Sequence, residues 1–153
     1  MRKILLCLAV LALIAVPALA QTASVDGAFT ITLPDELKPV EMTEEDKADG
    51  LRLDMENDAL RAVAYIYEPD PTYTSTLDET YENYLADQQE GFYANVAIKD
   101  INGTRMIVYN IDDDTSGAIT ITSSGYTYEF IMICEQESAR DAAKAAIESI
   151  KAA

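Results

Sequence analysis

Apolar and polar positions alternate most regularly over residues 93–134, and the breaks in that alternation fall at turn residues. Asn102-Gly103 separates two such runs. That dipeptide suits a type I′ turn, in which both central residues need positive φ, so it predicts a hairpin. With that turn Ile101 faces Thr104, Asp100 faces Arg105, Ile98 faces Ile107, Val96 faces Tyr109 and Ala94 faces Ile111. A second hairpin is predicted from Gly117 to about Cys134, turning either at Ser124-Gly125 or over the three residues 123–125. Matching apolar with apolar residues selects the two-residue turn. It pairs Ile121 with Tyr128, Ile119 with Phe130 and Thr122 with Thr127, and leaves Glu129 on a solvated face with the threonines.

Elsewhere the period is weaker but still directional. Residues 27–33 alternate Phe29, Ile31 and Leu33 with threonines and stop at Pro34, which predicts a strand; residues 21–26 read as a polar lead. Residues 35–50 are acidic and poorly patterned, with Thr43 placed to cap one helical turn. Residues 51–55 and 60–67 form another predicted hairpin across Glu-Asn-Asp. Thr76 with Glu79 is a capping-box signature ahead of Leu77, Tyr81, Tyr84 and Leu85, which share one helical face, so a helix is predicted over 76–89. Ser138 with Asp141 gives a similar signature before an alanine- and isoleucine-rich stripe, predicting a closing helix over 139–151. The sum is an α+β domain: an antiparallel β-sheet of six to seven strands built from hairpins, with a central helix and a C-terminal helix packed on it.

The amino terminus changes the picture of where this domain works. Residues 1–20 combine Arg2 and Lys3 with an apolar run and an Ala18-Leu19-Ala20 ending, the pattern of a cleaved secretory signal. The run is short for a membrane span. The expected product is a single domain over 27–153, monomeric and secreted or periplasmic in a bacterial cell envelope, with no membrane span after signal removal. Loss of Arg2 and Lys3 from the 11 basic residues leaves nine against 27 acidic ones, a formal charge of −18. Such a chain repels nucleic acid and anionic lipid and attracts a basic partner. Cys134 would be the one cysteine left, so no internal disulfide forms. Histidine is absent from the whole chain, which excludes His-based triads and the common zinc ligand sets.

Four pieces of sequence carry a resemblance: Phe29-x-Ile31-x-Leu33-Pro34-Asp35, the central helix, Tyr126-x-Tyr128-x-Phe130, and Ile147-x-x-Ile150. In that order they resemble the PsbP-like superfamily, which includes an extrinsic photosystem II subunit, a Ran-binding nuclear-transport protein and small secreted bacterial proteins. A tryptophan often found after the Leu-Pro element is missing here. The resemblance implies an α+β fold and a non-enzymatic binding or accessory role, and it transfers no binding residue.

Candidate chemistry is thin. Asp112, Asp113 and Asp114 between two strands invite a Ca²⁺ site, but an EF-hand loop starting at Asn110 would need glycine where Thr115 stands and glutamate where Ile121 stands. A looser oxygen-ligand site for Ca²⁺ or another small ligand at these three residues is the alternative function; a carboxylate-only hydrolase ranks below it. Eight tyrosines fall in predicted elements and are expected mostly in the core or on sheet faces, with exposed ones marking a protein interface. The leading expectation is a protein-binding accessory domain with no catalytic residues, no cofactor and an unidentified extracytoplasmic partner. Mass spectrometry of the exported protein should find Gln21 as its first residue; an intact amino terminus would contradict the signal reading.

Overall fold

The computed structural model describes residues 20–72 and 75–153. Apart from Ala20, the segment read as a signal lies outside them. Strand β1 (Ala20–Val25) pairs antiparallel with β2 (Phe29–Pro34), so the residues read as a polar lead are a strand. Asp26 and Gly27 make that turn with positive φ, a second use of the Asx-Gly signal that the sequence reading passed over. Two residues, Lys38–Pro39, form β3. A short helix, α1 (Glu44–Ala48), starts at Thr43, whose hydroxyl accepts the Asp46 N–H while the Asp46 carboxylate accepts the Thr43 N–H. The hairpin β4 (Leu51–Glu56) and β5 (Leu60–Tyr67) follows as expected.

Helix α2 (Leu77–Gln89) begins at Thr76 with the Glu79 capping box intact. After it come β6 (Ala94–Ile101), β7 (Thr104–Asn110), β8 (Thr115–Ile121) and β9 (Thr127–Cys134). The closing helix is shorter than the stripe suggests. A 3-10 turn over Glu137–Ala139 leads into α3 (Arg140–Glu148), and the Ser138–Asp141 cap does not form. The chain then turns back into the sheet: Ser149 Oγ accepts the Thr32 N–H at 2.8 Å, and β10 (Lys151–Ala152) pairs with β2. Two antiparallel sheets result, β1-β2-β10 and the larger β3-β4-β5-β9-β8-β7-β6, which makes the protein α+β. No helix among the described residues is long and apolar enough to cross a membrane.

The larger sheet has two covered faces, each covered over a different half. On one face Phe130, Met132, Met106 and Ile66 pack against β2 and α3, and this is the main core. On the other, Ile107, Tyr109, Ile119 and Val96 pack against the Leu77, Tyr81, Tyr84 and Leu85 stripe of α2. Helix α3 packs on β2, β8 and β9, whereas α2 packs on β6 and β7.

Two registers depart from the sequence reading. The β6–β7 hairpin pairs as expected from Ile101–Thr104 to Ile98–Ile107, but Ala94 then faces Asn110, and Ile111 is exposed. A bulge at Asn95, held at φ 55°, takes up the extra residue; the Val96 N–H it displaces donates to Gln88 Oε1 of α2 at 2.8 Å. The β8–β9 hairpin uses the three-residue turn, not the two-residue one. Ile121 faces Thr127, Ile119 faces Glu129 and Ala118 faces Phe130. Gly125 sits at φ 87° and its N–H donates to the Thr122 carbonyl, the geometry of a type I turn closed by a left-handed residue. Pairing like with like misleads here because the core asks for complementary volumes. Phe130 lies between Ala64 and Ala118, and Met132 between Ala62 and Ser116.

Gly103 stands at φ 84° in the β6–β7 turn with nothing near its missing side chain. Gly103→Val should therefore act through backbone strain alone, at a cost of about 1–3 kcal/mol. A lowered melting temperature checks this; an unchanged one would contradict the turn.

Candidate functional site

Because the β8–β9 turn is one residue longer than apolar matching predicts, Glu129 leaves the threonine face and joins the face that carries α2. Directly opposed residues share a face, so Glu129 lies in one row with Tyr65 and Ile119, and Ile131 lies in the next with Val63 and Gly117. Tyr109 faces Gly117 across β7–β8. A β-carbon at 117 would collide with the Tyr109 ring, so the glycine lets the ring lie flat across β8. Its hydroxyl then donates to Glu129 Oε1 at 2.5 Å, and the Tyr67 hydroxyl donates to Oε2 at 3.2 Å.

Aromatic rings surround this carboxylate. Tyr84 from α2 stacks on Tyr93 with centroids 4.6 Å apart, and each meets Tyr109 at 5.1 Å. Tyr65 and Tyr67, two residues apart on β5, stack in parallel at 6.1 Å. Burial, followed by the Glu129 charge, pushes the Tyr109, Tyr84 and Tyr67 phenols well above the ordinary tyrosine range. They are hydrogen-bond donors throughout the physiological range.

Most of the tyrosines sit in or against the cores or on a sheet face, as expected. Among the described tyrosines Tyr109 and Tyr128 are fully buried; Tyr65, Tyr81, Tyr84 and Tyr93 are half-buried, and Tyr67 and Tyr126 are exposed. Past the edge of α2, the face over β5 and β9 has no helix upon it among the described residues. Tyr65, Glu129, Ile131 and Ile133 are half-buried there and Tyr67 is 42% exposed. Arg61 flanks them, already neutralised by two bonds to the buried Asp54 at 2.9 and 2.6 Å, so the free charge at the centre is that of Glu129.

Asp112, Asp113 and Asp114 lie on the opposite side, at the β7–β8 turn. The structure does not bring the three carboxylates together. Asp112 Oδ1 accepts the Asp114 N–H at 2.9 Å, which holds its pKa below the usual value, and Asp114 pairs with Arg140 of α3 at 2.8 Å. Among the described residues no group of three or more carboxylates or thiols is arranged to hold a metal ion. Asp113 and Asp114 instead line a cleft of about 510 Å³ beside α3, whose wall also contains Cys134; burial pushes that thiol's pKa up.

No protein-family model and no curated protein matches this chain. The functional reading therefore rests on geometry. No sequence signal marked Glu129, since it follows from the turn length and from the bare α-carbon of Gly117. The clue that existed was the pair of tyrosines at alternate positions on one strand, Tyr65 with Tyr67.

Gly117→Ala tests the arrangement. The added methyl group displaces the Tyr109 ring, so stability should fall by about 1–3 kcal/mol. A raised folded-state phenol pKa gives stability that is full below the unfolded value near 10 and is lost as pH rises beyond it. The wild-type melting temperature should thus drop steeply above about pH 10, and Tyr109→Phe should flatten that drop. Equal pH slopes in the two proteins would contradict the placement of Tyr109.

Proposed function

We propose that this protein is an exported, non-enzymatic accessory domain that acts as a monomer and binds a basic segment of another extracytoplasmic protein through the open half-face over β5 and β9. The observation that carries the reading is the conjunction on that half-face of the exposed Tyr67 and half-buried Tyr65 rings, half-buried isoleucines and one central carboxylate. Tyrosine supplies large contact area at low entropic cost and is enriched in the cores of protein interfaces. A lysine or arginine side chain laid across Tyr65 and Tyr67 would gain from the ring faces and from Glu129 together.

The remainder of the chain supports the same partner chemistry. A formal charge of −16, or −18 without the signal, steers a basic partner at long range and repels nucleic acid. The chain has no histidine, and no nucleophile motif appears in it, so the reading assigns it no reaction of its own. The resemblance to the PsbP-like superfamily points the same way, toward binding in place of catalysis.

A photo-reactive amino acid placed at position 67, and separately at the exposed position 38, tests this in the native host envelope. An adduct with a defined partner should form from position 67 and not from position 38. Association of the purified pair should slow as salt rises, because the attraction is long-ranged and screened. Glu129→Gln should weaken binding about tenfold while leaving the fold intact. Adducts that form equally from both positions, or binding indifferent to Glu129, would overturn the proposal.

A further inference from the structure

On the other face of the sheet the outer strands β6 and β7 are covered only in part, with Ile101 and Met106 buried and Lys99 exposed. Helix α3 packs over β8 and β9 but is tethered at both of its ends to loops of the outer strands. At its C-terminal end Asn102 Nδ2, from the β6–β7 turn, donates to the Glu148 and Ile150 carbonyls at 3.0 and 2.9 Å. At its first turn Arg140 pairs with Asp114 of the β7–β8 turn at 2.8 Å. Between the tethers the helix bridges a space over part of β6 and β7, lined by Lys99, Val108 and Asn110, while Ile101 and Met106 of the same strands stay in the main core. The 510 Å³ cleft is the space beneath this bridge, and its volume lies within the range of small-molecule sites.

We infer that this cleft is a second binding site, for a small organic anion with an apolar body. The floor and inner wall are apolar: Ile101, Val108, Ala143 and Ile147. Lys99 reaches the cleft from β6 and Lys144 from α3, on opposite walls. Neither lysine is in any ion pair formed among the described residues. Asn95 Nδ2 donates to Asn110 Oδ1 at 3.2 Å, which leaves the Asn110 amide N–H groups to a ligand.

The acids around the cleft do not cancel this. Asp114 is neutralised by Arg140, and Asp100 points to the other face, where it opposes Arg105 and accepts the Gly103 N–H. Asp113 and Glu148 remain, at the two ends. Along α3 the ends at Arg140 and Glu148 are about 12 Å apart, with Lys144 midway. Positive charge in the middle and negative charge at either end admit one compact anionic group and exclude a polyanion. With Lys99, Arg140 and Lys144 set against Asp113, Asp114 and Glu148, the cleft is also close to neutral in a chain of net charge −16. An anion meets less repulsion here than over the acidic surface as a whole.

This site is independent of the tyrosine half-face, and the test keeps the two apart. The probe is 8-anilinonaphthalene-1-sulfonate, an amphipathic anion whose fluorescence rises in an apolar site, added to the folded full-length mature protein. Saturable one-to-one binding is expected, displaced by octanoate and not by the same concentration of 1-octanol. The double variant Lys99→Gln/Lys144→Gln changes only exposed side chains and should weaken binding about tenfold, whereas Tyr67→Ala on the opposite face should leave it unchanged. Absence of saturable binding, equal displacement by octanol, wild-type affinity in the double variant, or loss of binding in Tyr67→Ala would each overturn the inference.

Discussion

Phe130 wedged between Ala64 and Ala118 is the contact on which the rest of the molecule depends. It is fully buried, and Phe29 closes over it edge-on with ring centroids 5.9 Å apart, so the small sheet, the large sheet and the centre of the main core meet at this ring. A large side chain between two alanines fixes the register of β9 against both neighbours, because slipping by one residue would turn the ring out of the core. Removing such a ring typically costs about 3–5 kcal/mol. The opposite face inherits its layout from the same register. Once Phe130 points inward, Glu129 and Ile131 must point outward, and Glu129 arrives beside Ile119 and within reach of Tyr109.

The second consequence concerns how two short helices cover a seven-stranded sheet. Neither spans it, and they sit over opposite halves of opposite faces. Two uncovered areas remain, of different character. Over β5 and β9 the open area is aromatic and aliphatic around a carboxylate; over β6 and β7 it is a cleft with an apolar floor flanked by two lysines. In a chain of net charge −16 both areas depart from the chemistry of a solvated acidic surface. The proposed functions follow from that departure.

Much of the fold was legible in the sequence wherever local chemistry and pattern agreed. Thr76 with Glu79, Thr43 with Asp46 and Asn102-Gly103 each specify a backbone geometry within four residues, and all three form. What failed was decided at longer range. The choice between Ser124-Gly125 and the longer turn depended on Ala62, Ala64 and Ala118 being small enough to flank large residues, which no window around the turn contains. Ser138 with Asp141 carries a capping pattern, but the chain enters α3 through a 3-10 turn and leaves it to pair Lys151 with Thr30. The Asp112, Asp113 and Asp114 run drew attention by its charge, whereas Asp114 proves to be the ion-pair partner that ties the first turn of α3 to the β7–β8 turn. Tyr109 over Gly117 was invisible, since a lone glycine in a strand does not say which ring will cross it.

The central claim is that the half-face over β5 and β9 is open while its continuation beneath α2 is closed. Methyl-labelled isoleucines report this directly through relaxation caused by an inert paramagnetic co-solute. The methyl signals of Ile131 and Ile133 should broaden strongly, and those of Ile107 and Ile119, in adjoining rows of the same face, should stay sharp. Equal protection of all four would mean that the half-face is covered in solution, and the account built on its openness would fail.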